Sequence, residues 1–152
     1  MDIQIDSREK ARAIKKIVAE FDAQGVVYEI SKLPVGDYMN LDNPRLIIDR
    51  KQNLNEVYQN LCHQYNRFTT ELIRAAKLHR KLIILVEHGK DITKLSDVKK
   101  WANPRLLETP YAWDGGQLYA KMRKTEISYG ITFEFCAKED TGKKIIELLG
   151  DA

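Results

Sequence analysis

Asp37, Asp49 and Lys51 are the residues of this chain whose types and spacing best suit chemistry. Asp49-Arg50-Lys51 closes the apolar run Leu46-Ile47-Ile48, and Asp37 lies in a Gly36-Asp37-Tyr38 turn just upstream. Successive side chains of a strand point to opposite faces, so Asp49 and Lys51 share one face and Arg50 takes the other. A carboxylate beside a lysine, with a second carboxylate arriving from the preceding strand, suits metal-assisted phosphodiester hydrolysis. The acids, Asp37 and Asp49, would hold hydrated Mg²⁺, and the cation would orient a water or meet charge building on the phosphate. A D-x-K tripeptide alone is common and is more often an ordinary ion pair at a solvated strand end.

The elements that must position these groups can be read from periodicity. Residues 2 to 6 alternate as a short half-buried strand does. An amphipathic helix is predicted directly after Ser7-Arg8-Glu9, with Ile14, Ile17, Val18 and Phe21 inward and Gly25 past its end. Asp6-Ser7-Arg8-Glu9 has the spacing of a capping box at that helix start. Val26 to Ile30, Pro34 to Tyr38 and Arg45 to Lys51 read as short strands of a meander. From Leu54 to His79 the apolar residues step by three or four, which predicts a helix, with a break placed near Tyr65-Asn66. Leu82 to Val86 has the composition of a strand covered on both faces and is placed centrally. A short helical or irregular piece follows around Leu95 to Trp101, then a loop to Gly115-Gly116 and a helix through Leu118, Met122 and Tyr129. An alternating strand, Ile131 to Phe135, and a C-terminal helix complete the chain. The alternation predicts an α/β fold with a central sheet and helices on both faces.

Length and composition bound what such a chain can be. At 152 residues it is expected to form one domain, 1–152. Twenty-five Lys and Arg against 22 Asp and Glu give a net charge of +3, so any basic footprint for nucleic acid must be local. Cys62 and Cys136 are far apart with no CxxC, which points to a reducing, intracellular and so cytoplasmic setting. No apolar run approaches the ~18 residues of a membrane span, and the opening Met-Asp-Ile-Gln-Ile does not read as a basic region leading into a hydrophobic segment, so no membrane partner is expected. His63, His79 and His88 lack zinc-site spacing, and Trp101, Tyr111 and Trp113 suit a core or an interface.

The order of parts adds specificity. "IDSRE" at the end of the first strand, "GDY" on a middle strand and "IDRK" on the next, followed by a helix, resemble the nuclease domain of the XPF-type family of structure-specific endonucleases. That family is a branch of the PD-(D/E)XK restriction-endonuclease-like superfamily, and its pattern runs D-x-R-E, G-D-Y, then E-R-K-x3-D. "QYNRFTTEL" and "KLIILVEHG" are similar to the family's helix and buried strand. In two places the chain departs: Asp49 replaces the family's Glu, and Asn55 replaces the Asp four residues beyond Lys51, with Glu56 beside it.

The resemblance implies a restriction-endonuclease-like fold with a mixed sheet. It also implies a Mg²⁺-dependent endonuclease, with Mn²⁺ able to substitute, cutting branched or junction-containing DNA such as flaps and forks. Asp6 and Glu9 would join Asp37 and Asp49 as metal ligands. Lys51 would position the attacking water or stabilise the phosphate, and Arg50 would order the site or meet phosphate. Arg8, Arg67, Arg74 and Lys77, with Arg80 and Lys81 nearby, would contact DNA or simply form a solvated face. Family members usually carry a helix-hairpin-helix DNA-binding domain and work as dimers. This chain ends at Gly150-Asp151-Ala152 without one, so a stand-alone domain is expected, assisted by homodimerisation or a partner protein and of viral, prophage or mobile-element origin. Two alternatives stand beside this: a catalytically weak or inactive DNA-binding or scaffold module, mildly favoured by Asn55, and a Holliday-junction resolvase-like nuclease, disfavoured by the Arg between Asp49 and Lys51.

Overall fold

The apolar run before Asp49 makes the sheet's middle: Ile47 and Ile48 are fully buried on opposite faces of one long strand. The computed structural model describes residues 1–150. Its strands are β1 (Asp2–Ile5), β2 (Val27–Ile30), β3 (Tyr38–Asn40), β4 (Asn43–Lys51), β5 (Lys81–Glu87) and β6 (Thr132–Cys136). The helices are α1 (Lys15–Ala23), α2 (Leu54–Cys62), α3 (Tyr65–Lys77), α4 (Gly115–Tyr129) and α5 (Thr141–Gly150). Short 3₁₀ turns occupy Leu95–Lys100 and Pro104–Leu107.

The strands form one mixed sheet in the order β2-β1-β3-β4-β5-β6. β1 and β2 are parallel, β3 runs antiparallel to both β1 and β4, and β4, β5 and β6 are parallel. Helices cover both faces, as predicted. Ile47, Ile84 and Val86 pack with Leu54, Leu61, Leu72 and Met122 of α2, α3 and α4. Ile3, Ile48 and Leu85 pack with Ile17 and Phe21 of α1 and with Ile145 and Leu149 of α5. β5 is buried from Leu82 to Glu87, which explains its unbroken apolar character.

The structure departs from the sequence-based expectations in four places. The strands do not form a simple meander, because β1 inserts between β2 and β3 and pairs with both. The first helix starts at Lys15, after turns over the preceding residues, and its N-cap Ile14 makes no side-chain bond. The Asp6/Glu9 capping box therefore does not form: Asp6 Oδ1 accepts the Leu33 N–H at 2.8 Å, and Glu9 reaches Arg50 instead. A capping box does form ahead of α4, between Asp114 and Gln117. Finally, the helical stretch from Leu54 breaks at His63 and Gln64, slightly before the predicted place, and α2 is capped by Asn53, whose side chain accepts the Glu56 N–H at 2.9 Å.

Candidate active site

Asp37 sits just ahead of β3, between the end of β1 and β4 on its two sides. Its N–H donates to Ile48 O at 2.8 Å, and its C=O accepts the Asp6 N–H at 2.8 Å. Gly36, with φ +75°, makes the approach possible, since a Cβ there would strike the Ile47 side chain. The Asp37 carboxylate then accepts the Arg50 N–H at 2.7 Å. Asp49 lies within hydrogen-bonding reach of it, and Lys51 Nζ is 3.3 Å from Asp49 Oδ2. All three belong to the β-sheet face covered by α2 and α3, where α3 contributes Phe68, whose ring centre is 5.6 Å from Lys51 Nζ.

Burial and then the neighbouring Asp49 push the Asp37 carboxyl well above its ordinary value. Lys51 behaves oppositely to an isolated buried lysine. Burial would lower it, but Asp49 and Glu56 outweigh that and hold it protonated above the ordinary lysine value. The site thus contains a strained pair of acids and a persistent cation.

Arg50 leaves this face altogether. Its Nε and Nη2 donate to Glu9 at 2.9 and 3.1 Å, and its Nη1 donates to Glu87 Oε1 at 2.6 Å. Only 6% of the arginine side chain and 3% of the Glu87 side chain are exposed, so the triad is a buried clamp across the ends of β4 and β5 and the turn after β1. Burial works against the guanidinium charge, yet Glu9 and Glu87 keep it protonated even more firmly than usual.

A cleft of about 310 Å³ gathers most of the residues singled out from sequence: Asp6, Arg8, Glu9, Asp37, Asp49, Arg50, Lys51 and Arg74. Asp6 and Glu9 lie there with their oxygens already engaged. Asp6 accepts from Leu33 N and, at 2.7 Å, from Arg8 Nε, and Glu9 accepts from Arg50. Arg67 lines an adjoining recess rather than the cleft, and Lys77 lines neither. Arg80 and Lys81 are engaged elsewhere, with Met39 Sδ and Gly130 O. Asn55 is outside the lining, whereas Glu56 faces both spaces. Two contributors were missed in the sequence: Glu71, which follows Arg67 by four residues on the same helical face, and Glu87, whose role depends on a pairing between strands far apart in the chain.

The donor chemistry fits a divalent cation. Among the described residues no group of three His, Cys, Asp or Glu side chains is arranged to hold an ion. Asp37 and Asp49, however, are two carboxylates within hydrogen-bonding reach of each other, and burial first and Asp49 second drive Asp37 toward its protonated form. A cation between them would relieve that repulsion, and Mg²⁺ commonly binds through one or two carboxylates while keeping several waters.

A family model described as the ERCC4 domain matches residues 5–149, and the chain belongs to that family. No curated protein matches it significantly. Among solved structures, XPF from Aeropyrum pernix matches with a TM-score of 0.68 at 22% identity, over 98% of this chain and 63% of that one. The structure of XPF from Aeropyrum pernix in complex with DNA matches with a TM-score of 0.64 at 20% identity, over 98% of this chain and 63% of that one. The chain therefore spans less than two thirds of the length of these structures, with which it shares the restriction-endonuclease-like fold.

Proposed function

We propose that this ERCC4-domain chain is a metal-dependent endonuclease that hydrolyses phosphodiester bonds in branched DNA, flaps and forks in particular. The observation that carries the reading is the Asp37–Asp49 carboxylate pair with Lys51 beside it, opening into a polar cleft. Asp37 and Asp49 would hold the cation, proposed to be Mg²⁺ with Mn²⁺ able to substitute. When bound, such an ion supplies Lewis-acid stabilisation of phosphate charge and makes a bound water more acidic.

The chain's own residues supply the rest. Lys51 is protonated and so acts as a donor to phosphate oxygens as negative charge builds, not as a base. Arg50, enclosed by Glu9 and Glu87, positions the strand end and presents its N–H to Asp37. Arg8 and Arg74 at the cleft, and Arg67 beyond it, suit phosphate contacts on either side of the cut. Homodimerisation or a partner protein inside the cell is proposed to add DNA affinity.

Labelled flap, fork, four-way-junction and linear duplex DNA, incubated with Mg²⁺, Mn²⁺ or EDTA, test the reading beside Asp49→Asn. Cleavage of the flap and fork, dependent on the ion and lost in Asp49→Asn, is expected. Binding without cleavage under every condition would overturn the enzyme, and cleavage unaffected by Asp49→Asn would overturn the site.

A further inference from the structure

A second recess, of about 240 Å³, opens beside the cleft and shares Lys51, Glu56 and Glu71 with it. Asn60, Gln64 and Arg67 complete its wall, and the buried Phe68 forms part of its lining. We propose that this recess holds one unpaired nucleobase of the strand being cut, adjacent to the scissile phosphate. The placement of that phosphate rests on the function proposed above.

The lining selects the chemistry of the occupant. Lys51 and Arg67 balance Glu56 and Glu71, so the recess carries no net formal charge, two positive against two negative. A phosphate would meet two carboxylates there. A purely apolar group would desolvate the amides of Asn60 and Gln64 with nothing in return. A nucleobase is neutral and carries donors and acceptors along its edges, which amides and carboxylates can match. Asn60 Nδ2 and Gln64 Oε1 are joined only by a long 3.3 Å bond, one that a base edge can replace.

Position and size define the rest. Lys51 walls the recess while its Nζ lies 3.3 Å from Asp49, so an occupant touching Lys51 is a near neighbour of whatever lies at the carboxylate pair. A base within a paired stack cannot enter a walled pocket of this size, and an unstacked one can. Gln64, Arg67, Glu71 and Arg74 recur at three- and four-residue steps, so α3 presents one stripe to both spaces. Arg67 and Arg74 are separated by about 10 Å along the helix, enough to reach backbone on both sides of the cut.

The test uses flap oligonucleotides in which a single abasic site is stepped through the positions around the cut. Binding to the intact chain is measured by fluorescence anisotropy in Ca²⁺ and in EDTA, for wild type and for an Asn60→Ala/Gln64→Ala double variant whose circular dichroism matches it. Removing the base at one position next to the cut should weaken wild-type binding about fivefold or more, with neighbouring positions little changed. The double variant should bind the intact flap as weakly as wild type binds that abasic one, and should show no positional loss. A uniform response along the strand, or the same positional loss in the double variant, would overturn the recess assignment. Positional loss without cleavage of any substrate in Mg²⁺ would support the recess and overturn the endonuclease.

Discussion

The Arg50 N–H donates to Asp37 Oδ2 at 2.7 Å while the Arg50 guanidinium is gripped by Glu9 and Glu87 behind the sheet. One residue thus joins the two faces of β4: its side chain fixes the strand end, and its main chain orients an acid on the opposite side. Asp49 and Lys51, its neighbours in sequence, inherit that fixed frame.

Removing the guanidinium should leave two buried carboxylates facing one another without a counter-charge. Arg50→Ala is expected to lose roughly 3–5 kcal/mol of stability by urea unfolding. A triple variant, Arg50→Met with Glu9→Gln and Glu87→Gln, should regain much of it, because no charge remains buried. Equal stability of Arg50→Ala and wild type would show that the clamp contributes nothing.

The acid pair gives a pH signature. Asp37 is raised well above 3.8, first by burial and then by Asp49, so the folded chain holds this proton more tightly than the unfolded chain. Its contribution to stability is full below the unfolded value and is lost as pH rises through the higher folded value. In EDTA the Tm of wild type should therefore fall relative to Asp37→Asn as pH is raised from mildly acidic toward neutral. Mg²⁺ should narrow that gap at neutral pH. Parallel Tm curves for the two proteins across this range would contradict the shift.

Gly36 is tested by Gly36→Ala. The positive φ and the collision with the Ile47 side chain act together, and a loss of roughly 1–3 kcal/mol is expected. Because the glycine precedes Asp37, cleavage should fall further than the loss of folded protein alone accounts for. Activity per folded molecule, with the folded fraction taken from the same urea curves, separates the two effects.

Burial, offset in part by a hydrogen bond with Thr141, pushes the Cys136 thiol up to about 11. In a Cys62→Ser background its alkylation at pH 8 should be slow and should accelerate about tenfold per pH unit until the thiolate dominates. Mass spectrometry of the labelled protein follows this directly. Labelling at pH 8 at the speed of an exposed peptide thiol would exclude the shift.

Much of the architecture was legible because it follows from periodicity. The inward stripe Ile17 and Phe21, the unbroken apolar β5 and the alternating β6 each have one geometric interpretation. The opposition of Asp49 and Lys51 to Arg50 was legible for the same reason, since a strand has a period of two. Pairing order was not: β1 joins β3 by contacts between Ile5 and Tyr38 that no local pattern encodes. The supposed capping box failed because Arg50, 41 residues away, offers Glu9 a charged partner that a helix terminus cannot. Glu87 stayed hidden for the same reason, a buried acid being intelligible only with its partner in view.

The interruption between α2 and α3 has a consequence for how this molecule could change over generations. α3 is anchored by Phe68, Leu72 and Ala75, while Gln64, Arg67 and Arg74 on its outer stripe are exposed and carry none of that anchoring. The carboxylates depend on strand ends that α3 does not form. Substitutions along the stripe can therefore accumulate, or be introduced by design, so that the proposed preference for one DNA shape drifts toward another while the proposed hydrolytic centre is inherited intact.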